Sequence, residues 1–158
     1  VPVLEEEEMD SKSILDTLER VIESSKIAIL ATSDAAGQPH MRWMTPAVLR
    51  GREGSLFAVT SPEFEKAEQI SQNPKVEWMV QSKPLDEIVR ARGMMTMIDN
   101  PAVKAMVLEE VGSQLSTFWK SNPDPSQVVV LETVLEELTY EKPISGERTD
   151  VKLGGGNG

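Results

Sequence analysis

Apolar residues change their spacing several times along this chain, and each change predicts an element. Ile14, Leu15, Leu18, Val21 and Ile22 recur at helical intervals, which predicts a helix with one apolar stripe over residues 10–25. Ser13, followed three residues later by Asp16, reads as its start signal. Residues 26–33 are a short run dense in branched side chains and read as a strand. A turn at 34–37 leads to a second extended run over 39–49, whose far end Pro46 demotes to an edge or bend. A further turn at 50–54 precedes a third strand over 55–60. The close spacing predicts that these three strands pair as an antiparallel meander.

Ser61 and Pro62 open a second helical pattern that runs to about Gln72, with proline in the favoured first turn, and Asn73-Pro74 ends it. Val76, Trp78 and Val80 alternate with other residues as in a half-buried strand, and residues 87–98 form another extended run. Pro101 starts a helix that closes at Gly112. Residues 113–120 read as a short helical continuation, 121–126 as a loop, and 128–141 as a long bent strand. The reading is therefore one domain over 10–142, between a flexible acidic tail at 1–9 and a flexible, glycine-ended tail at 143–158. Six strand runs with interspersed helices suit a mainly β fold, an antiparallel β-barrel, closed or partly split, with flanking helices. A doubly wound parallel sheet is disfavoured, because no helical crossover separates the first three strands. Composition alone leaves a small α+β sandwich open.

Charge narrows the function classes. The chain carries 16 basic and 26 acidic residues, a net −10, so a broad nucleic-acid surface is not expected. No apolar run approaches the roughly 20 residues of a membrane span, and a cytoplasmic location is the expectation. The absence of cysteine removes thiol catalysis, disulfides and thiolate metal sites. His40 is the one histidine, too few for a catalytic triad or a multi-histidine metal centre. It reads as a pleat residue near a turn.

Against this acidic background, one set of groups suits phosphate. Arg42-Trp43-Met44-Thr45 lies on the second strand, Val59-Thr60-Ser61 ends the third, and Lys66 follows six residues after the threonine. Guanidinium forks match phosphate oxygens, lysine adds a point charge, and hydroxyls donate hydrogen bonds. Spacing alone also allows Arg42 as a surface strand residue and Lys66 as a solvated helix lysine.

From about Ile27 to Gly93 this order resembles the FMN-binding split barrel of the pyridoxamine 5′-phosphate oxidase-like superfamily, especially its general stress protein branch. The resemblance implies a homodimer with FMN between subunits. Arg42 and Lys66 would neutralise the phosphate, Thr60 and Ser61 would donate to it, and the Trp43, Met44 and Thr45 backbone would address the ring, with Val59 beside it. Trp119 would reach the partner subunit's cofactor. Three departures stand out: Phe64 where a serine is usual, Glu65 where a second basic residue is frequent, and Ile88 where the oxidases place a flavin-contacting glutamine five residues before a strand glycine, here Gly93. With no histidine after position 40, the oxidases' late Arg-x-His substrate motif cannot exist, so true pyridoxamine phosphate oxidase activity is not expected. An FMN-dependent oxidoreductase or stress-related flavoprotein is the first reading, with no catalytic residue assigned. A flavin-free binding protein on the same barrel and an F420-dependent reductase are the alternatives. A haem protein is a weaker one, since His40 alone could ligate iron.

Overall fold

The longest strand organises the molecule. The computed structural model describes residues 9–60, 73–112 and 128–153. In chain order these form α1 (Ser11–Ser25), β1 (Ala28–Ser33), β2 (Pro39–Met44), β3 (Ser55–Thr60), β4 (Lys75–Gln81), β5 (Ile88–Ile98), α2 (Pro101–Val111), β6 (Val129–Lys142) and β7 (Glu147–Lys152). All pairings are antiparallel, in the order β2-β1-β4-β5-β6-β3, with β7 also on β6. β6 is long enough to pair with β5 along one edge and with β3 and then β7, end to end, along the other.

Two corrections to the sequence reading follow. β3 does not continue a meander from β2; its ladder partner is β6, 69 residues or more away in sequence for every rung, beginning with Thr60 opposite Val129. Residues 147–152, expected to be a flexible tail, instead form β7 in register with Glu137 through Lys142 of β6. Alternation is too weak in a charged six-residue segment to signal a strand whose partner supplies the burial.

The ends of the sheet nearly meet. Beyond β2, Ala47 and Phe57 exchange two backbone hydrogen bonds of 2.8 and 2.9 Å, an isolated antiparallel bridge between the chain after β2 and the middle of β3. No ladder joins β2 to β3 among the described residues, so the barrel is split between them.

Inside, Leu30, Trp78, Val80, Val89, Ala91, Leu131 and Leu138 are fully buried. α1 completes this core with Ile14, Leu18, Val21 and Ile22, the stripe read from periodicity. Burying four such side chains contributes roughly 1.5–3 kcal/mol each before entropy is counted. The helix starts one turn earlier than the Ser13 signal: Asp10 is the cap, accepting from the Ser13 N–H at 2.8 Å. α2 is capped by Asn100 and begins at Pro101 as read. It lays Val103, Val107 and Val111 on the outer face of β3, against Phe57 and Val59. β3 is therefore covered on both faces, and all six of its residues are buried. The second helical pattern at 61–72 and the segment 113–127 lie outside the described residues.

Candidate functional site

β2 is an edge strand, and its alternation separates two faces. His40, Arg42 and Met44 point to the barrel side, while Pro39, Met41 and Trp43 point outward and are exposed. On β3, Leu56, Ala58 and Thr60 share the barrel side, and Phe57 and Val59 face α2. Counting antiparallel from the Ala47–Phe57 bridge brings Thr60 level with Met44, so Arg42 and Thr60 flank the same split from opposite strands.

The two groups differ in their environment. Thr60 is only 3% exposed. Arg42 is half-buried with its Nη1 screened from solvent, and burial pulls the guanidinium below its ordinary pKa. It stays cationic, because an arginine's pKa begins so high. A partly dehydrated guanidinium interacts more strongly with an anion than one in bulk water.

The remaining sequence-predicted residues divide. The Met44 side chain enters the core and Val59 packs under α2, which leaves only their backbone near the split. Thr45 is half-buried just past the end of β2. The Trp43 side chain is 66% exposed on the face opposite Arg42. Trp78, on β4, is wholly buried, and its indole N–H donates to Thr133 Oγ1 at 2.9 Å. Ser61, Lys66 and Trp119 lie outside the described residues, as do Phe64 and Glu65. Ile88 opens β5 and is half-buried. Gly93 sits at a register shift, where a side chain would collide with the Val134 carbonyl oxygen.

Thr32 escaped the sequence reading. It is 2% exposed, opposite His40 on β1, on the same barrel side as Arg42. Its signal was a polar residue in the apolar phase of Ala28, Leu30 and Thr32. His40 proves to be more than a pleat residue: its Nε2 lies 3.0 Å from Asp34 Oδ2, and that bond, with those from the Gln38 and Ala36 amides, holds the Asp34 carboxyl below its ordinary pKa. The imidazole thus braces the β1–β2 turn.

A second polar cluster ties α1 to the barrel. Arg20 donates both guanidinium nitrogens to Glu87 at 2.7 Å each, and the Tyr140 hydroxyl donates to Glu87 Oε1 at 2.6 Å. The Arg20 hydrogen bonds, aided by Tyr140, pull the Glu87 carboxyl down to about 2. Burial first, and then the Glu87 carboxylate, push the Tyr140 phenol up to about 12. With both oxygens of Glu87 engaged by three hydrogen bonds, this cluster is a clamp.

The model of the pyridoxamine 5′-phosphate oxidase family matches residues 14–142 of the chain. The chain belongs to that family. General stress protein 26 of Bacillus subtilis is 27% identical over 149 residues, 92% of this chain and 99% of that protein. Among solved structures, a Clostridium acetobutylicum protein related to general stress protein 26 superposes with a TM-score of 0.72 at 18% identity, covering 93% of this chain and 99% of that one. A heme binding protein from Mycobacterium smegmatis gives 0.70 at 16% identity, over 89% and 58%. A pyridoxamine 5′-phosphate oxidase-related, FMN binding protein from Nostoc punctiforme gives 0.62 at 15%, over 87% and 95%. At these identities the structural likeness shows the fold, a split barrel, and not the ligand.

Proposed function

We propose that this family member binds FMN, with the phosphate held at the split between β2 and β3. The observation that carries the reading is that half-buried Arg42 and buried Thr60 lie on the barrel-side faces of the two strands that border the split. The guanidinium neutralises phosphate charge, and the threonine hydroxyl supplies a directional donor. Ser61, next to Thr60 in sequence, and Lys66, six residues after it, add a second hydroxyl and a second cation. The side of β2 away from β1 presents the backbone of Trp43, Met44 and Thr45 to the isoalloxazine edge in this reading. Bound FMN supplies hydride or electron transfer, and the protein supplies binding, orientation and electrostatics. No acid–base pair is assigned among these residues, so the reading is a flavoprotein, and an oxidoreductase through its flavin alone.

The same reading makes the working unit a homodimer. Met41 is 74% exposed on the outward face of β2. Met97, exposed by 46%, shares a row with Leu131 and Ala58 near the Thr60 end of the barrel. A flavin at a one-chain split leaves a ring face open, and a partner covering these apolar groups also encloses the ring. Two-fold symmetry gives two equivalent sites. Trp119 is the residue assigned to the partner's cofactor.

The flavin-free alternative rests on Phe64, Glu65 and Ile88, which place bulk, negative charge and an apolar group where the resembled pattern has a hydroxyl, a base and a flavin-contacting glutamine. The Asp34 pairing of His40 weighs against haem. Mass spectrometry of the small molecule released when freshly purified protein is denatured tests the reading. FMN is expected; haem, F420 or nothing bound even after incubation with FMN contradicts it.

A further inference from the structure

The outer face of the first hairpin carries a second feature. A groove of about 510 Å³ lies on the side of β2 that Trp43 faces, within the roughly 300–1,000 Å³ of small-molecule sites. Register sets Trp43, Ile29 and Met79 in one row across β2, β1 and β4, where they form the wall and floor. Ile27 and Leu85, each about half-exposed, form the rims. We propose that this groove binds a small planar aromatic anion, stacked on Trp43 and charge-paired with Lys83.

Three observations carry the proposal. The first is backbone strain at both rims. Lys26 (φ 63°) and Leu85 (φ 62°) are the two non-glycine residues in the left-handed region among the described residues, and one adjoins this groove while the other lines it. Lys26 ends α1, its N–H bonded to the Ile22 carbonyl at 2.7 Å, and swings Ile27 outward. Leu85 is held in place by a buried serine: Ser82 Oγ donates to Asp86 Oδ1 at 2.7 Å and accepts from the Asp86 and Glu87 amides at 3.1 Å. Glycine would occupy such a position without strain. Keeping a bulky leucine there, over an apolar floor, is the kind of outlier that accompanies ligand clamps.

The second observation is charge. Lys83 is the one charged group among the described lining residues, in a chain of net charge −10. A groove whose described lining carries a lysine and no carboxylate selects an anion. The third is shape and chemistry. Trp43 offers an aromatic face that is 66% exposed, and Gln81 and Ser25 offer hydrogen-bonding groups at the margin. Flat apolar body plus one negative substituent is the ligand that satisfies all three. Because the Arg42 side chain leaves β2 on the opposite face, this proposal does not depend on the flavin reading.

Titration of the full chain with anilinonaphthalene sulfonate and with its uncharged counterpart, N-phenylnaphthylamine, tests it through quenching of tryptophan emission. Saturable binding at a single site is expected, with the sulfonate tighter by roughly tenfold, an increment of about 1.4 kcal/mol. Lys83→Gln should erase that difference while leaving the uncharged probe in place. Leu85→Ser should weaken both probes, and Trp43→Leu should reduce the quenching. Probe binding indifferent to Lys83→Gln and Leu85→Ser overturns the proposal. So does binding that appears only when Leu85→Ser turns a dimer into a monomer in sedimentation, since a second copy would then own the face.

Discussion

Arg42 and Trp43 are consecutive on β2, and their side chains leave the strand on opposite faces. One is half-buried toward the split, the other two-thirds exposed over the outer sheet. A single strand thus serves two environments, the barrel side at the split and an apolar outer groove. A ligand gripped by the guanidinium meets β2 through its backbone edge, so Trp43→Leu should leave FMN affinity within about threefold while Arg42→Ala reduces it by about 1–3 kcal/mol. Equal losses in a fluorescence titration of flavin would mean that the ring reaches around the strand.

The clamp of Arg20, Glu87 and Tyr140 makes a pH prediction with a definite sign. The Glu87 carboxyl is depressed to about 2, so its contribution is present above the ordinary glutamate range and is lost as pH falls through that range toward 2. Arg20 is 58% exposed and solvent screens the pair, so the contribution is roughly 1–2 kcal/mol. Glu87→Gln should flatten that part of the acid limb in urea-unfolding measurements made from neutral pH downward.

Tyr140 is the chain's one tyrosine, so its phenolate absorbance reports on this clamp alone. Its midpoint should lie near 12. The neutral phenol is the form the fold stabilises; that stabilisation holds below the ordinary tyrosine range and is lost as pH rises toward 12. Glu87→Gln should bring the midpoint down. An unshifted midpoint in the native protein would mean the hydroxyl does not donate to Glu87 in solution.

Gly93 faces the carbonyl of Val134 where β5 and β6 slip by one residue, Arg92 pairing with Glu137 and Gly93 with Leu135. A methyl group there meets backbone, which cannot rotate away. Gly93→Ala should cost roughly 2–3 kcal/mol, read as a lower denaturation midpoint. Glycine here serves the close approach of two strands.

Trp78 and Thr133 are both fully buried and share one hydrogen bond. Thr133→Val keeps the shape and orphans the indole N–H, which should destabilise the core by about 1–3 kcal/mol. Thr133→Ser, which keeps the hydroxyl, should recover part of the loss in the same unfolding assay.

Local pattern carried most of the fold. β3 lies where the alternation and flanking turns put it, α2 begins at Pro101, and α1 buries the residues its periodicity named. Pairing was less legible, because β3 closes the barrel against β6 after a long excursion, and no local turn encodes that partner. β7 was illegible for a related reason: its charged residues look like a tail until β6 supplies the other half of the ladder. At the site, the inward phase of Arg42 follows from strand alternation, and its place two residues along β2 from Met44, which lies level with Thr60, follows only from the Ala47–Phe57 bridge. The His40–Asp34 pair and the left-handed Leu85 needed the turn conformations themselves.

Assembly has its own test. A stable dimer should bury well over ~1,000 Å² and persist at micromolar concentration in sedimentation. Substituting a charge for Met41, as in Met41→Lys, should shift it toward monomer and loosen FMN together. A monomer that holds FMN stoichiometrically would separate the cofactor from the dimer.

The phosphate grip is measured most directly by isothermal titration of the ligand-free protein with FMN and with riboflavin, which differ by the phosphate alone. FMN should bind at least tenfold more tightly, an advantage that Arg42→Ala and Lys66→Ala each reduce. Equal affinity for the two flavins would contradict the account, because Arg42, Thr60 and Lys66 would then be holding nothing.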